Sequence, residues 1–139
     1  MGPLLGEQVC YTLYSTSNVV TKAYKSLLTP LRLTYPQFVV MMALWQKDHI
    51  SVTQLALTVG LSKATMTPLL KRLELLGYIS RKFVDGNERQ KNIALSGAGK
   101  ALVDKGNEVA LQALCATGLS DEEAKQLISL CQKVKSNLT

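Results

Sequence analysis

The chain is poor in cysteine and histidine and has no long apolar run, and each shortage excludes a class of protein. Only three of its 139 residues are cysteines, and none lies close to another in sequence, which argues against a disulfide scaffold or a zinc site and favours reduced cytosolic thiols. No run reaches about 18 apolar residues, so we expect no membrane-spanning helix. The N-terminus shows neither the charged region nor the cleavage site of a secretory signal peptide, which favours a cytoplasmic protein.

Positive charge is what the chain has in excess. Sixteen Lys and Arg residues stand against ten Asp and Glu residues, for a net charge of +6, which favours a polyanionic partner. The single histidine, His49, falls in a predicted loop, where we expect a solvated side chain, and we expect neither a metal nor another cofactor. Residues 1–139 contain no internal repeat or low-complexity linker, so they are expected to form one domain with room for a core.

Residues 51–76 have the pattern of two short helices joined by a tight turn. Ser51 is placed to cap the first helix. Gly60 would supply the turn, because a close crossing of two helices needs a residue without a Cβ. Ser62 would cap the second helix, which is predicted to run from about residue 63 to residue 76.

The second of these helices is predicted to have one apolar and one polar face. The apolar stripe, at three- and four-residue spacing, comprises Met66, Leu69, Leu70, Leu73 and Leu76. The opposite face carries side chains suited to the edges of bases and to phosphates. With the cap residue included, the candidate DNA-binding residues of this helix are Ser62, Lys63, Thr65, Thr67, Lys71 and Arg72.

A β-hairpin is predicted after this helix, which Gly77 would end. Residues 78–84 and 89–95 have the composition of strands, and residues 85–87 that of a turn. A recognition helix beside a basic-tipped hairpin is typical of a winged helix-turn-helix, so the predicted fold class is mainly α with a small β-hairpin. The alternative is an ordinary α+β fragment with solvated charges, because short helix-turn-helix patterns also arise by chance.

The remaining segments are predicted helices with more apolar surface than one domain can cover. They are residues 5–28, a helix opened by a capping box at residues 34–37, a long helix capped by Ser96 that reaches about Cys115, and a last helix from Ser120 to about Asn137. Apolar residues on several sides of the terminal helices favour a two-fold dimer. We therefore assign residues 34–95 to DNA binding and residues 1–33 and 96–139 to dimerisation. The dimer would place two recognition helices about one DNA turn apart, which suits a palindromic operator.

Three segments carry a resemblance to a known family. They are Gln8–Tyr14, Leu33–Gln37 and Thr65–Glu74, which read QVCYTLY, LTYPQ and TMTPLLKRLE. The third contains Pro68, which costs on the order of 3 kcal/mol inside a straight helix and which no periodicity would predict. On these segments the chain resembles the MarR family of dimeric winged-helix regulators, and within it the OhrR branch, the regulators of organic hydroperoxide resistance. The resemblance implies a homodimeric repressor rather than an enzyme, with organic hydroperoxides as inducers.

The resemblance implies that Cys10 is the peroxide-reactive cysteine and that Tyr24 and Tyr35 hydrogen-bond its sulfur. Cys10 and Tyr24 are fourteen residues apart, so on one helix they share a face but lie about 21 Å apart along the axis. The tyrosines must then come from the partner subunit, with the first helices antiparallel. Two phenol donors and the positive first turn of a helix would stabilise the thiolate that attacks a peroxide. The alternative is that Cys10 is a small buried hydrophobe.

The second thiol of the proposed chemistry is assigned by the same resemblance. Cys115 best matches the resolving cysteine of the two-cysteine variety of this branch, which forms a disulfide with the oxidised cysteine of the other subunit. A small thiol is the alternative resolving partner. Cys131 is expected to be a core residue of the last helix.

Arg89 matches the arginine at the wing tip that family members insert into a minor groove, where narrow A·T-rich DNA attracts a guanidinium. The alternative is a solvated surface charge. The chain departs here from the family's Asp-Glu-Arg run, because Asn87 stands at the position of the aspartate. Asp85 or Glu88 would then have to orient the arginine.

Three other functions compete with a peroxide sensor. A regulator of this family can instead bind a phenolic or aromatic ligand between its domains, with Cys10 inert. A thiol peroxidase is disfavoured, because the sequence shows neither an αβ peroxidase scaffold nor a threonine–arginine pair beside the thiol. A winged helix used only for protein contacts is the last alternative, and salt-dependent binding to promoter DNA would argue against it.

Overall fold

The computed structural model describes the backbone of residues 1–84 and 87–139, and the side chains of residues 1–82 and 91–139. This part of the chain is mainly helical, with one small antiparallel sheet. In chain order its elements are α1 (Val9–Leu28), α2 (Tyr35–Gln46), β1 (Ile50–Ser51), α3 (Val52–Val59), α4 (Lys63–Leu75), β2 (Ile79–Val84), β3 (Asn87–Leu95), α5 (Gly97–Ala101), α6 (Val103–Ala116) and α7 (Asp121–Leu138). Short 3-10 turns precede and follow α1, at Leu5–Glu7 and Thr29–Leu31.

The sheet consists of the hairpin β2–β3 and one added strand, in the order β1–β3–β2. Ile79 of β2 pairs with Leu95, and Ile50 of β1 pairs with Ile93. The two predicted strands are thus confirmed, although β3 begins at Asn87, two residues earlier than predicted. Residues 85 and 86 of the predicted turn lie outside the described residues. β1 is absent from the prediction, because a strand of two residues is too short to show an alternating pattern in the sequence.

The helix-turn-helix of α3 and α4 forms as predicted. Ser51 caps α3, since its hydroxyl oxygen accepts a hydrogen bond of 3.1 Å from the Gln54 amide. Gly60 follows α3 in the left-handed region, with φ 74°, a conformation that a side chain would disfavour. The Leu61 amide then donates to the Ala56 carbonyl at 3.1 Å, which satisfies a carbonyl at the helix end.

The hydrophobic core lies around α2, which begins at a capping box. The Gln37 amide donates to the Thr34 hydroxyl, while the Thr34 amide donates to the Gln37 side chain at 2.9 Å, as predicted. Starting the helix here directs its apolar residues into the space between α1, α3 and α4. The largest fully buried side chains are Leu28, Phe38, Val40, Met41, Leu44, Leu55, Met66, Leu70, Leu73 and Ile93.

Two contacts attach α5 and α6 to this core. The Trp45 indole N–H donates to the Gly99 carbonyl at 2.9 Å. A Cβ on Gly106 would lie 2.5 Å from the Trp45 ring, so the ring packs directly on the backbone of α6. Gly99 itself lies against the Tyr78 carbonyl, and the Tyr78 hydroxyl donates to the Leu31 carbonyl at 2.8 Å. The winged helix, α5 and the 3-10 turn after α1 are therefore held together by contacts between side chains and backbone atoms.

Two predicted helices differ from those in the structure. The predicted helix of residues 5–28 begins only at Val9, because Gln8 is extended with φ −92° and ψ 118° and Gly6 is a poor helix former. The predicted helix from Ser96 to Cys115 is divided at Leu102 into α5 and α6. Its high glycine content favours this break, which also lets the chain approach Trp45 closely.

The terminal helices keep a large apolar surface exposed in the single chain. α7 begins at the predicted capping box of Ser120 and Glu123, yet it contains no buried residue. The prediction that Cys131 is a core residue is therefore wrong for this chain alone, where it is half-buried. His49, by contrast, is exposed as predicted, with 73% of its side chain accessible.

In the described part of the chain, no single helix is long and apolar enough to cross a bilayer. The segments Val9–Leu31 and Tyr35–Gln46 meet such a criterion only as a pair bent by 69°. Much of the second segment is buried in the protein core.

Gly99→Ala should destabilise the fold by about 1–3 kcal/mol, because the added methyl would overlap the Tyr78 carbonyl and the backbone would have to shift. Gly97→Ala is the matched control, since nothing lies within 4 Å of its Cβ position and it should keep or raise stability. Urea unfolding of both variants at equal protein concentration checks this. Equal midpoints for the two variants would contradict the packing described here.

Candidate nucleic-acid interface and thiol site

The first turn of α4 presents polar side chains to solvent. Ser62 caps it as predicted: its hydroxyl oxygen accepts a hydrogen bond of 3.2 Å from the Thr65 amide and lies 2.9 Å from the Thr65 hydroxyl. Lys63, Thr65 and Thr67 are all exposed. The positive end of the helix dipole, a lysine and several hydroxyls therefore share one surface, which suits contact with phosphates and base edges.

Pro68 interrupts the hydrogen bonding of α4 without ending the helix. Proline has no amide hydrogen, so the Ala64 carbonyl lacks its usual helical donor. Pro68 and Ala64 are both exposed, so water can solvate the freed carbonyl. The Thr67 hydroxyl meanwhile donates to the Lys63 carbonyl at 3.0 Å. The proline is tolerated because it lies on the solvent side of the helix.

Lys71 and Arg72 lie on the second half of α4, and both are exposed. Arg72 follows Ser62 by ten residues, which is about 15 Å along the helix. Its side chain lines a groove near the junction of α1 and α2. The structure therefore divides the predicted DNA-binding residues into a group at the first turn and a basic pair farther along.

An ion pair fixes β2 relative to α4. Two nitrogens of Arg81 donate to the Glu74 carboxylate at 3.2 and 3.3 Å. Hydrogen bonding to Arg81 lowers the pKa of Glu74, so this carboxylate stays ionised. Since a two-bond arginine–carboxylate pair restricts orientation, it holds the base of the hairpin against the recognition helix. The wing-tip residues of the prediction lie outside the described side chains; they are Asp85, Asn87, Glu88 and Arg89.

Tyr24 of α1 and Tyr35 of α2 pack against each other. Their ring centroids are 4.6 Å apart with a tilt of 48°, and the Tyr24 ring lies 6.0 Å from Phe38. Both tyrosines are half-buried. Burial, and secondly the neighbouring Tyr35, raise the pKa of Tyr24. Its phenol therefore stays protonated at neutral pH and can act as a hydrogen-bond donor.

The three cysteines are free thiols in this structure. Cys10 is the second residue of α1 and is exposed, as is Cys115 near the end of α6. Because α1 is continuous from Cys10 to Tyr24, the two residues lie on one face about 21 Å apart. The structure thus brings the two predicted tyrosines together within one chain and leaves Cys10 apart from them. No group of three or more His, Cys, Asp or Glu side chains in the described residues is arranged to hold a metal ion.

An open apolar groove of about 590 Å³ runs beside α1. Residues of α1, α6, α7 and the loop between α6 and α7 line it, among them Val20, Tyr24, Leu27, Ala113, Leu119 and Leu127. The sequence shows that these helices have apolar sides. It does not show that the sides meet in a groove with Tyr24 on the wall, because the packing angle between α1 and α6 depends on contacts distant in sequence.

Ser62→Ala should lower the free energy of unfolding by about 1 kcal/mol, because the first turn of α4 loses its cap. Ser62→Gly should lose only a few tenths of a kcal/mol, since glycine also suits this position. Chemical denaturation of both variants separates the two. A Gly variant less stable than the Ala variant would show that Ser62 does not act as a cap.

Comparisons with known proteins agree with this architecture. The MarR family model matches residues 33–91. The chain is 37% identical over 125 residues to the organic hydroperoxide resistance transcriptional regulator of Bacillus subtilis. The aligned residues cover 90% of this chain and 85% of that protein. The regulator SarZ of Staphylococcus aureus is 31% identical over 125 residues, which covers 90% of this chain and 84% of SarZ.

Solved structures of AbfR from Staphylococcus epidermidis have the same fold. Reduced AbfR bound to DNA matches with a TM-score of 0.80 and 26% identity, over 97% of this chain and 94% of the other. Overoxidised AbfR bound to DNA matches with a TM-score of 0.79 and 27% identity, over 97% of this chain and 95% of the other. Disulfide-formed AbfR matches with a TM-score of 0.72 and 28% identity, over 96% of this chain and 92% of the other. The curated relatives are transcriptional regulators rather than enzymes. The chain belongs to the MarR family and is a winged-helix transcriptional regulator.

Proposed function

We propose that the protein is a dimeric repressor that releases its operator when an organic hydroperoxide oxidises Cys10. The observation that carries this proposal is the Tyr24–Tyr35 contact, which places two phenol rings side by side, with Tyr24 on the wall of the groove beside α1. The name of the B. subtilis relative, a regulator of organic hydroperoxide resistance, supports the same inducer. In this proposal the protein acts in the cytoplasm, on a palindromic operator.

Exposed apolar side chains on the terminal helices support a homodimer. α7 has eighteen residues and buries none of them, and a helix gains most of its stability from packing an apolar face. The exposed large hydrophobic residues on α1, α6 and α7 are Val9, Tyr11, Leu13, Tyr14, Val19, Leu111, Leu127, Ile128, Leu130 and Leu138. A surface of this kind marks a protein interface, and a two-fold axis would bury the same surface on both subunits. We therefore propose residues 1–33 and 96–139 as the dimerisation region.

An antiparallel arrangement of the two α1 helices would bring together the parts that one chain keeps apart. Cys10 and Tyr24 share a face of α1 at about 21 Å separation. When two such helices cross head to tail, Cys10 of each subunit can approach Tyr24 and Tyr35 of the other. The phenols then donate hydrogen bonds to the sulfur, and the first turn of α1 adds a partial positive charge. Both effects favour the thiolate.

The chemistry begins with attack of the Cys10 thiolate on the distal oxygen of the hydroperoxide. The O–O bond breaks, the alkoxide leaves and takes up a proton, and the sulfur becomes a sulfenic acid. The peroxide is reduced to an alcohol and the cysteine is oxidised by two electrons. The Cys115 thiol of the partner subunit then attacks this sulfur, which forms a disulfide and releases water.

The disulfide is the step proposed to release DNA. Its formation would pull the end of α6 toward the start of the other α1 and so shift the winged helices away from their spacing on two half-sites. Overoxidised AbfR bound to DNA supports this choice, because overoxidation does not prevent that protein from binding. We therefore assign release to the crosslink rather than to oxygen atoms on the sulfur.

DNA binding is assigned to the recognition helix and the wing. Lys63, Thr65 and Thr67, with Ser62 at the cap, are proposed to read the major groove, because they share the exposed first turns of α4. Lys71 and Arg72 are proposed to contact phosphates farther along the helix. Arg89 is proposed for the minor groove from the resemblance of its sequence, with residues 34–95 as the DNA-binding region.

The alternative is release by a non-covalent aromatic ligand, with Cys10 structural. The apolar groove of about 590 Å³ beside Tyr24 favours it, because ligand sites are concave and mostly apolar. This alternative predicts release of DNA without a change in thiol reactivity. The rate of iodoacetamide labelling of Cys10 at neutral pH distinguishes the two mechanisms: fast labelling indicates the thiolate of the sensor, and slow labelling indicates a structural cysteine.

Oxidation by cumene hydroperoxide should produce a crosslinked dimer on a non-reducing gel, because Cys10 and Cys115 are proposed to join across the interface. Cys10→Ser and Cys115→Ser should each abolish the crosslink. Cys131→Ser, the matched control, should leave it intact. A crosslink that persists in either of the first two variants would exclude this pairing.

A further inference from the structure

Pro68 lies in the middle of the recognition helix α4 and outside the hydrophobic core. A proline at such a position destabilises a helix, because it lacks an amide hydrogen and crowds the preceding turn. Its side chain is exposed, so packing within the chain does little to offset this cost. A residue that breaks a local rule without a gain in packing indicates a role toward something outside the chain.

Ala64 and Pro68 together form a small apolar surface, which we name the α4 patch. The two residues are four positions apart, so they are neighbours on one side of the helix. That side is opposite the buried stripe of Met66, Leu70 and Leu73. Both residues of the patch are exposed. The patch therefore lies at the centre of the face that α4 turns away from the core.

The surroundings of the α4 patch are cationic. Lys71 and Arg72 lie one turn beyond Pro68, and both are exposed. The only acidic residue of α4, Glu74, is bound by Arg81. Two small side chains cover far less than the roughly 800 Å² that each partner of a stable protein complex buries. A small apolar patch among cations therefore suits a polyanion that carries apolar groups, and duplex DNA has this chemistry.

We propose that the α4 patch reads thymine in the major groove, through contact of the Ala64 methyl group and the Pro68 ring with the C5-methyl group of the base. The inference rests on the part of the proposed function that places the start of α4 in the major groove. Thymine is the only base that presents an apolar group on that edge. Neither side chain of the patch contains a polar atom, so contact with a methyl group is its only means of reading a base.

The same patch disfavours a G·C base pair at its position. Guanine O6 and the cytosine amino group are hydrated on the open edge of the base pair, and both need a hydrogen-bond partner. Contact with Ala64 and Pro68 would remove that water and supply no partner, which is unfavourable for a polar group. The patch therefore selects thymine twice, by burial of the methyl group and by exclusion of polar edges. Lysine and threonine side chains on the same helix can bind several bases and are less selective.

The test is fluorescence anisotropy of the reduced protein with a duplex that wild type selects from a random-sequence library. Each thymine of that duplex is replaced in turn by deoxyuridine, which keeps the base pair and removes only the C5-methyl group. At least one replacement in each half-site should weaken wild-type binding about fourfold, the effect of exposing one buried carbon. Since the protein stays reduced, the outcome does not depend on the thiol chemistry of the proposed function.

Pro68→Ala distinguishes contact with DNA from a structural role. It restores the amide that donates to the Ala64 carbonyl, so it should raise the urea midpoint of unfolding. It should nevertheless bind the selected duplex about fourfold more weakly per half-site and should lose most of its response to deoxyuridine. Pro68→Val keeps a branched apolar side chain and should remain sensitive. Pro36→Ala, at an exposed proline that begins α2, is the matched control and should change neither affinity.

Two results would overturn the readout of thymine. The first is a selected duplex in which no replacement by deoxyuridine weakens wild-type binding. The second is a Pro68→Ala variant as sensitive to deoxyuridine as wild type, because the proline would then act only through the shape of the helix. A library that yields no selected duplex is a different result, since it would contradict DNA binding itself and the readout with it.

Discussion

The contact between Tyr24 and Tyr35 is the interaction on which the proposed sensor depends, because it joins two parts of the molecule with different roles. Tyr24 belongs to α1, the helix that carries Cys10, and Tyr35 is the first residue of α2, the central helix of the core. Burial raises the pKa of Tyr24 and keeps its phenol a donor. The same ring forms part of the groove beside α6 and α7. One side chain therefore takes part in core packing, in the proposed hydrogen-bond site for the thiolate and in the surface proposed for the partner.

Short contacts continue from this pair toward the DNA-binding elements. α2 carries Trp45, whose indole binds the Gly99 carbonyl, and Gly99 packs on the backbone of Tyr78. Tyr78 lies between α4 and β2, and its hydroxyl donates to the Leu31 carbonyl in the 3-10 turn that follows α1. Since these contacts involve backbone atoms and leave little free space, movement of α1 or α6 has to move the winged helix or break them. This is a physical route by which a crosslink between terminal helices would alter the spacing of two recognition helices.

The sequence predicted those features whose cause is local. Ser120 caps α7 as expected because the side chain and the amide that it binds are three residues apart. The strand of Ile50 was not predictable, because it exists only through pairing with Ile93. The contact of Gly99 with Trp45 was likewise not predictable, because the two residues are far apart in sequence. In the candidate site, family resemblance supplied the two tyrosines and the cysteine. The groove beside α1 had no signal in the sequence, because its lining comes from segments that only folding brings together.

The most direct test of the central claim is the affinity for promoter DNA of wild-type protein and of Cys10→Ser, measured by fluorescence anisotropy at one salt concentration with and without an organic hydroperoxide. The proposal predicts that the peroxide weakens binding by wild type about tenfold or more and that dithiothreitol restores it. It predicts that Cys10→Ser binds equally well in both conditions. Release of Cys10→Ser by the peroxide, or unchanged binding by oxidised wild type, would contradict the account.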